Sequence, residues 1–245
     1  MLSTHNFHIF AALFENTCCV KATHASKSQE YCEIVQDLKE LLSNKKKNSF
    51  KLNMDKEITV EEITVQIADE RYLAYVDTIL TTIADAAKVR GTGIARRSPE
   101  YIEQKMKEGK AIIALAGEEF AGFCYIETWG NKKFVANSGL IVVDKFRGHG
   151  LAKRIKRKAF ELSRQRYPDA KIFGLTTGLA VMKINSELGY KPVTFSELTS
   201  DEAFWKGCQS CVNYDILQRT ERKHCLCTGM LYDPATEEKK EENVD

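Results

Sequence analysis

Residues 139–160 read GLIVVDKFRGHGLAKRIKRKAF, an apolar strand that enters a glycine-spaced turn and leaves it as a helix with a cationic face. Leu151, Ile155, Ala159 and Leu162 recur at helical spacing and form one apolar stripe, which must be buried against another layer. Lys153, Arg154, Lys156, Arg157 and Lys158 fall largely off that stripe and read mostly as a solvated face. A strand followed directly by such a helix commits this part of the chain to an α/β layer architecture. Gly148 and Gly150 allow two readings. They make a tight turn and nothing more, or they bring backbone amides at the positive end of the helix dipole close to an anion, with Lys153 and Arg154 near enough to assist. The R-G-x-G-x-A spacing is neither a P-loop nor the full dinucleotide fingerprint.

The rest of the chain follows a legible order. A strand ITVQIA comes first, then a helix from about 71 to 89, and then a helix that Ser98 caps, Pro99 opens and Gly109 ends. Strands AIIALAG, FAGFCYIETW and FVANSGLIVV follow, separated by GEE and GNKK turns. After the cationic helix come strand KIFGLTT, a helix through VMKINSEL and strand KPVTFSEL. The order β-α-α-β-β-β-α-β-α-β predicts an α/β (α+β) domain with a mixed central sheet over 54–200. Residues 1–53 read as a partly helical or disordered extension, with Met54 as an alternative start. Residues 201–234 read as a cysteine-rich segment packed on the domain, and 235–245 as a disordered acidic tail.

Charge limits the function classes. Lysine and arginine number 36 against 34 acids, a net charge of +2, which gives no general pull toward nucleic acid or membrane. No apolar run approaches the roughly 20 residues of a membrane span, and FHIFAALF near the start lacks the cations of a secretory leader. Eight cysteines, two adjacent and four bunched late, do not resemble a secreted disulfide framework, so a cytoplasmic setting is expected.

The turn and its context resemble the GCN5-related N-acetyltransferases, whose signature is an R/Q-x-x-G-x-G/A turn after a central strand. The resemblance implies that fold, with a central strand pair that splays apart. It implies acetyl-CoA or succinyl-CoA as acyl donor, with Leu140, Ile141, Val142 and Val143 along the pantetheine arm. Arg147, Gly148, His149, Gly150, Leu151, Ala152 and Lys153 would hold the phosphates. The family's usual acid is a tyrosine four residues before the glycine of the last helix. INSELGY puts Asn185 there, with Ser186 and Tyr190 as further candidates. A thiolate leaving group, with a conjugate-acid pKa of about 8.5, needs only modest help. Glu127, toward the end of an apolar strand, is the candidate base for the attacking amine; its alternative is a strand-end surface residue.

A nearer resemblance, over residues 58–234, is to bacterial arginine-biosynthesis acyltransferases of the Bacteroidetes group. It implies N-acylation of a small acidic amino acid, glutamate, by direct attack in a ternary complex. Arg96 and Arg97, in the loop that would close over the acceptor, suit bidentate carboxylate binding. Lys183 and Thr176 or Thr177 are secondary candidates. Acetylation of a protein or peptide amine is the alternative within the fold. The expected partner is thus a small molecule, with no nucleic acid or membrane, and a homodimer is compatible with it.

Cys208-x2-Cys211 and Cys225-x-Cys227 supply four thiols in the last segment. Two readings carry equal weight: a structural zinc clip, and packing as small hydrophobes without metal. A redox pair is a third. Zinc together with the KRIKRK helix would also suit a nucleic-acid-binding module, although the near-neutral charge and the apolar stripe weigh against that.

Overall fold

A computed structural model of the chain describes residues 62–90 and 96–236. They lie within one unit, Ile58–Asp245. The N-terminal extension 1–53, the Met54 alternative, loop residues 91–95 and the tail beyond 236 are outside the described residues.

The strands are β1 (Ile63–Ala68), β2 (Ala111–Ala116), β3 (Glu119–Trp129), β4 (Phe134–Val142), β5 (Lys171–Thr176), β6 (Lys191–Val193) and β7 (Thr228–Tyr232). They form a sheet of order β1-β2-β3-β4-β5-β7-β6. The first four strands pair antiparallel as a meander, β4 pairs parallel with β5, and β7 pairs antiparallel with both β5 and β6. The mixed sheet expected from the element order is present. Its β7 comes from the cysteine-rich segment, which therefore contributes a sheet strand as well as surface helices.

Helices α1 (Val76–Arg90), α2 (Pro99–Lys107), α3 (Leu151–Arg166), α4 (Leu179–Glu187), α5 (Glu202–Lys206) and α6 (Tyr214–Arg219) cover the two faces. The predicted first helix begins as a 3-10 turn, Glu70–Tyr75, capped by the Asp69 side chain, and becomes α-helical at Val76. Ser98 caps α2 as expected, its side chain accepting from the Tyr101 amide at 3.3 Å. Strand KPVTFSEL is shorter than predicted. Thr194 and Glu197 close a capping box on a 3-10 turn, which ends extended pairing at Val193.

Two apolar clusters sit on opposite faces of the sheet's first half. One face joins Ile79, Ile83, Ile102 and Met106 of α1 and α2 to Phe123, Tyr125 and Ile141. The other joins Leu151, Ile155, Ala159 and Leu162 of α3 to Cys124, Ile126, Val135 and Val142. The α3 stripe is thus buried as its spacing predicts. A third cluster places Phe195, Trp205 and Leu217 against Ala136, Phe173 and Leu231, so the C-terminal helices pack over the sheet's second half.

Candidate active site

The site is built where β4 changes its pairing. Two steps along β3, from Phe123 to Tyr125, face three along β4, from Ile141 to Ser138. That bulge lies at Gly139, whose φ of +68° few side chains tolerate, and whose added Cβ would meet the Tyr125 ring at 2.8 Å. On its other edge β4 pairs with β5 through Phe134–Lys171, Val135–Ile172 and Ala136–Phe173, and the ladder stops there. From Asn137 and Gly174 onward the parallel strands part, and the β4 edge facing β5 carries no ladder bonds among the described residues. An open backbone edge inside a sheet is a ready template for an extended ligand with amide groups.

At the far end of that edge the chain turns through Gly148 and Gly150, with φ of +84° and +79°, and a Cβ at either would meet nothing within 4 Å. Gly150 is the N-cap of α3 and supplies no side-chain hydrogen bond, so the first-turn amides of α3 have no side-chain cap. His149 is exposed there, while Leu151 is buried. Three of the nearby cations are committed to the protein. Arg147 donates to the Val142 carbonyl at 3.1 Å and pairs with Asp144 at 2.7 Å. Lys153 pairs with Glu187 at 2.6 Å, and Arg154 donates to the Ile63 carbonyl. The amides and glycines of this turn stay open to an anion, and the Arg147 and Lys153 pairs are exposed ones of small energy. Beside it a cavity of about 520 Å³ opens between α1 and the end of β4, lined by Thr78, Thr82, Ala86, Val143, Asp144 and Arg147 among others. Leu140 and Val143 are partly buried, Ile141 and Val142 fully.

Alternation along β3 puts its polar groups on opposite faces. Glu127 and Tyr125 turn toward α2. Glu127 forms an ion pair with Lys105, accepts from the Tyr101 hydroxyl at 2.8 Å, and accepts the Thr128 amide on its other oxygen. Its side chain is 14% exposed and that of Lys105 5%, so this is a desolvated pair rather than a surface one. Tyr101 stacks edge-on against Tyr125 at 5.7 Å, and burial holds its phenol well above the usual range, so it serves as a hydrogen-bond donor. Arg97 donates through Nε to the Tyr125 hydroxyl at 2.6 Å. Arg96 is exposed, and its amide donates to Ser210 at 2.9 Å, which ties the start of α2 to the cysteine-rich segment. Arg97 and Glu127 are thereby brought together through Tyr125 and Tyr101. Thr176 is spent locally, accepting the Gly178 amide at 3.0 Å, and Thr177 and Lys183 are exposed beyond the end of β5.

The α3 face holds the other candidates. Asn185 is 1% exposed, and its side-chain oxygen has no hydrogen-bond partner among the described residues. Tyr190 is 2% exposed and donates to Asn137 Oδ1 at 3.0 Å, while Asn137 donates to Ser163 at 3.0 Å. Burial pushes the Tyr190 phenol well up, which keeps it protonated and a hydrogen-bond donor. Lys156, read from the sequence as part of the wet face, is 2% exposed. Its Nζ lies 5.2 Å from the Tyr190 ring centroid and 3.9 Å from the position a Gly174 Cβ would take.

The zinc clip requires correction. Among the described residues no group of three or more His, Cys, Asp or Glu is arranged to hold a metal ion. Among the described residues none of the four thiols forms a disulfide. Burial, reinforced by the neighbouring thiols, pushes Cys208 up to about 11 and Cys227 up to about 12. Cys208, Cys225 and Cys227 pack against the third apolar cluster, which is the packing alternative.

Lys105, Tyr101, Tyr125, Asn137 and Lys156 were not singled out by sequence reasoning. Tyr101 and Lys105 share an i, i+4 face of α2, a spacing that could have linked them to one site.

Comparison with known proteins agrees with this geometry. Residues 80–181 match the model of the acetyltransferase (GNAT) family. A Mycobacterium tuberculosis structure, Rv2747 in complex with CoA and NLQ, superposes with a TM-score of 0.51 at 14% identity, covering 69% of this chain and 98% of that one. N-acetylglutamate synthase from Neisseria gonorrhoeae, complexed with CoA and N-acetyl-glutamate, gives 0.50 at 14% identity, covering 70% of this chain. The alignment spans only 35% of that enzyme's length. No curated protein matches the chain.

Proposed function

We propose, from the match of residues 80–181 to the acetyltransferase (GNAT) family model, that the chain is a CoA-dependent acyltransferase that transfers an acetyl or succinyl group to the α-amine of glutamate. The observation that carries the acceptor reading is the Arg97–Tyr125–Tyr101–Glu127–Lys105 array at the bulge of β4. It sets a guanidinium and a carboxylate on one wall, the first for an acceptor carboxylate and the second for the amine's proton.

The parted edge of β4 and the uncapped turn at Gly148–Gly150 fit an acyl-CoA. The edge from Ser138 to Val142 would pair with the pantetheine amides, and the α3 amides would take the phosphates. Acyl-CoA supplies an activated thioester. The chain orients it, excludes water and places Glu127 on the acceptor's side. The two superposed structures, one holding N-acetyl-glutamate with CoA, support an amino-acid acceptor, and the arginine-biosynthesis resemblance gives the product its place.

Thiol release from acetyl-CoA and succinyl-CoA across a panel of amino acids tests this. Turnover is expected with glutamate, and Arg97→Ala should raise the glutamate KM at least tenfold while leaving that for acyl-CoA within about threefold. Turnover confined to basic or neutral amines would overturn the acceptor.

A further inference from the structure

Lys156 is a buried cation with no carboxylate against it among the described residues. Such a group is costly to retain unless something uses it. Its position is specific. The last β4–β5 pair is Ala136–Phe173, and a Cβ built on the next β5 residue, Gly174, would lie 3.5 Å from the Asn137 carbonyl and 3.9 Å from Lys156 Nζ. The ammonium therefore stands at the vertex where the two strands part, on the α3 face, whereas Glu127 stands on the α2 face.

Resting on the reading of the parted strands as the acyl-donor site, we propose that Lys156 protonates the thiolate that leaves when the acyl group is transferred. The acceptor nitrogen forms a bond to the acyl carbon while the carbon–sulfur bond breaks and its electron pair stays on sulfur. Lys156 gives that sulfur a proton, becoming a neutral amine. The amine's own proton departs on the Glu127 side, and solvent returns one to Lys156. Two proton transfers are thus separated by the sheet.

The surroundings support the assignment. Lys156 is faced by Cys124 from β3, Asn137 from β4 and the Tyr190 ring after α4, with Tyr232 of β7 behind Tyr190. Arg97 acts on Cys124 from the opposite face, and Lys153, one turn earlier on α3, is neutralised by Glu187. Burial pulls the Lys156 ammonium down to about 8. That lies close to the roughly 8.5 of a free thiol, so the transfer runs nearly level. Asn185 has an amide in place of the expected phenol, and its N–H groups donate hydrogen bonds but are too weakly acidic to transfer a proton.

The decisive measurement is ionisation of the CoA thiol in its complex with the full chain, followed by thiolate absorbance against pH. In the native complex the thiol should ionise at least about tenfold more readily than in free CoA, because the ammonium faces the sulfur; in Lys156→Met it should ionise as free CoA does. Steady-state rates supply the second reading. Native kcat should fall as pH rises past about 8, while Lys156→Met should lose roughly 100-fold in kcat together with that limb, its KM values staying within about threefold. Native CoA ionising like free CoA, or a Lys156→Met kcat within twofold of native, overturns the proposal. The thiol measurement needs no acceptor, so a shifted thiol in a chain that acylates no amino acid upholds Lys156 and sinks the glutamate reading. A chain that does not bind CoA sinks both.

Discussion

A methyl group added at Gly122 would lie 2.6 Å from Ile155 Cδ1 and 2.8 Å from the Ile141 carbonyl oxygen. The isoleucine tip can turn aside, but the carbonyl belongs to the β3–β4 ladder and cannot. Gly122→Ala should therefore cost about 1–3 kcal/mol in urea unfolding by straining the β3–β4 ladder; a loss below 0.5 kcal/mol, roughly the scatter of ordinary surface changes, would show that the contact relaxes. At this scale the sequence speaks unevenly. Gly148 and Gly150 announce themselves by spacing, and the structure gives both positive φ. Lys156 does not, because seven cations in one helix look alike until packing separates them. The available signal was subtler: Ala152, Ala159 and Ser163 lie on the same side of α3, leaving room for a long side chain to reach inward. Asn185 could be placed by motif, but that its oxygen would be buried without a partner could not be read from the sequence.

Periodicity located most elements, because each buries one stripe or one face. Where it failed, pairing partners rather than local preference decided. TGMLY, read as part of a cysteine-rich tail, becomes β7 because β5 and β6 offer it two edges at once, with Phe173 facing Leu231 and Pro192 facing Met230. The early end of β6 was legible in principle, since T-F-S-E spells a capping box. A chain ended at Cys227 would expose the β5 edge and strand Phe195 and Trp205 without Leu231. It should elute as aggregate in size-exclusion chromatography and lose the cooperative melt of the longer chain. A monomeric, cooperatively folded product would make β7 dispensable.

Across the whole molecule, buried titratable groups set how stability depends on pH. Lys156, at about 8 when folded against an ordinary 10.5, binds fewer protons folded than unfolded between those values. Stability contributed through it therefore rises with pH across that window and is lowest at and below pH 8, by an amount on the order of 3 kcal/mol. Cys124, Cys208 and Cys227 act oppositely. Their thiols are raised from 9.0, so the stability they confer is full below pH 9 and declines above it. The native chain should strengthen between pH 8 and 9 and weaken beyond, whereas Lys156→Met should be more stable than native at pH 7 and show only the decline. Urea midpoints from pH 7 to 10.5 check this; parallel curves for the two proteins would mean that the lysine titrates normally.

The position of β7 also bears on how the chain is made. Synthesis delivers β5 and β6 first, then two short helices, and only afterwards the strand that belongs between them. Until those residues emerge, the nascent domain holds a finished meander beside two open edges, the kind of surface chaperones cover. A ribosome that pauses between the codons for Val193 and Thr228 would therefore prolong the interval in which this protein is most open to misassembly.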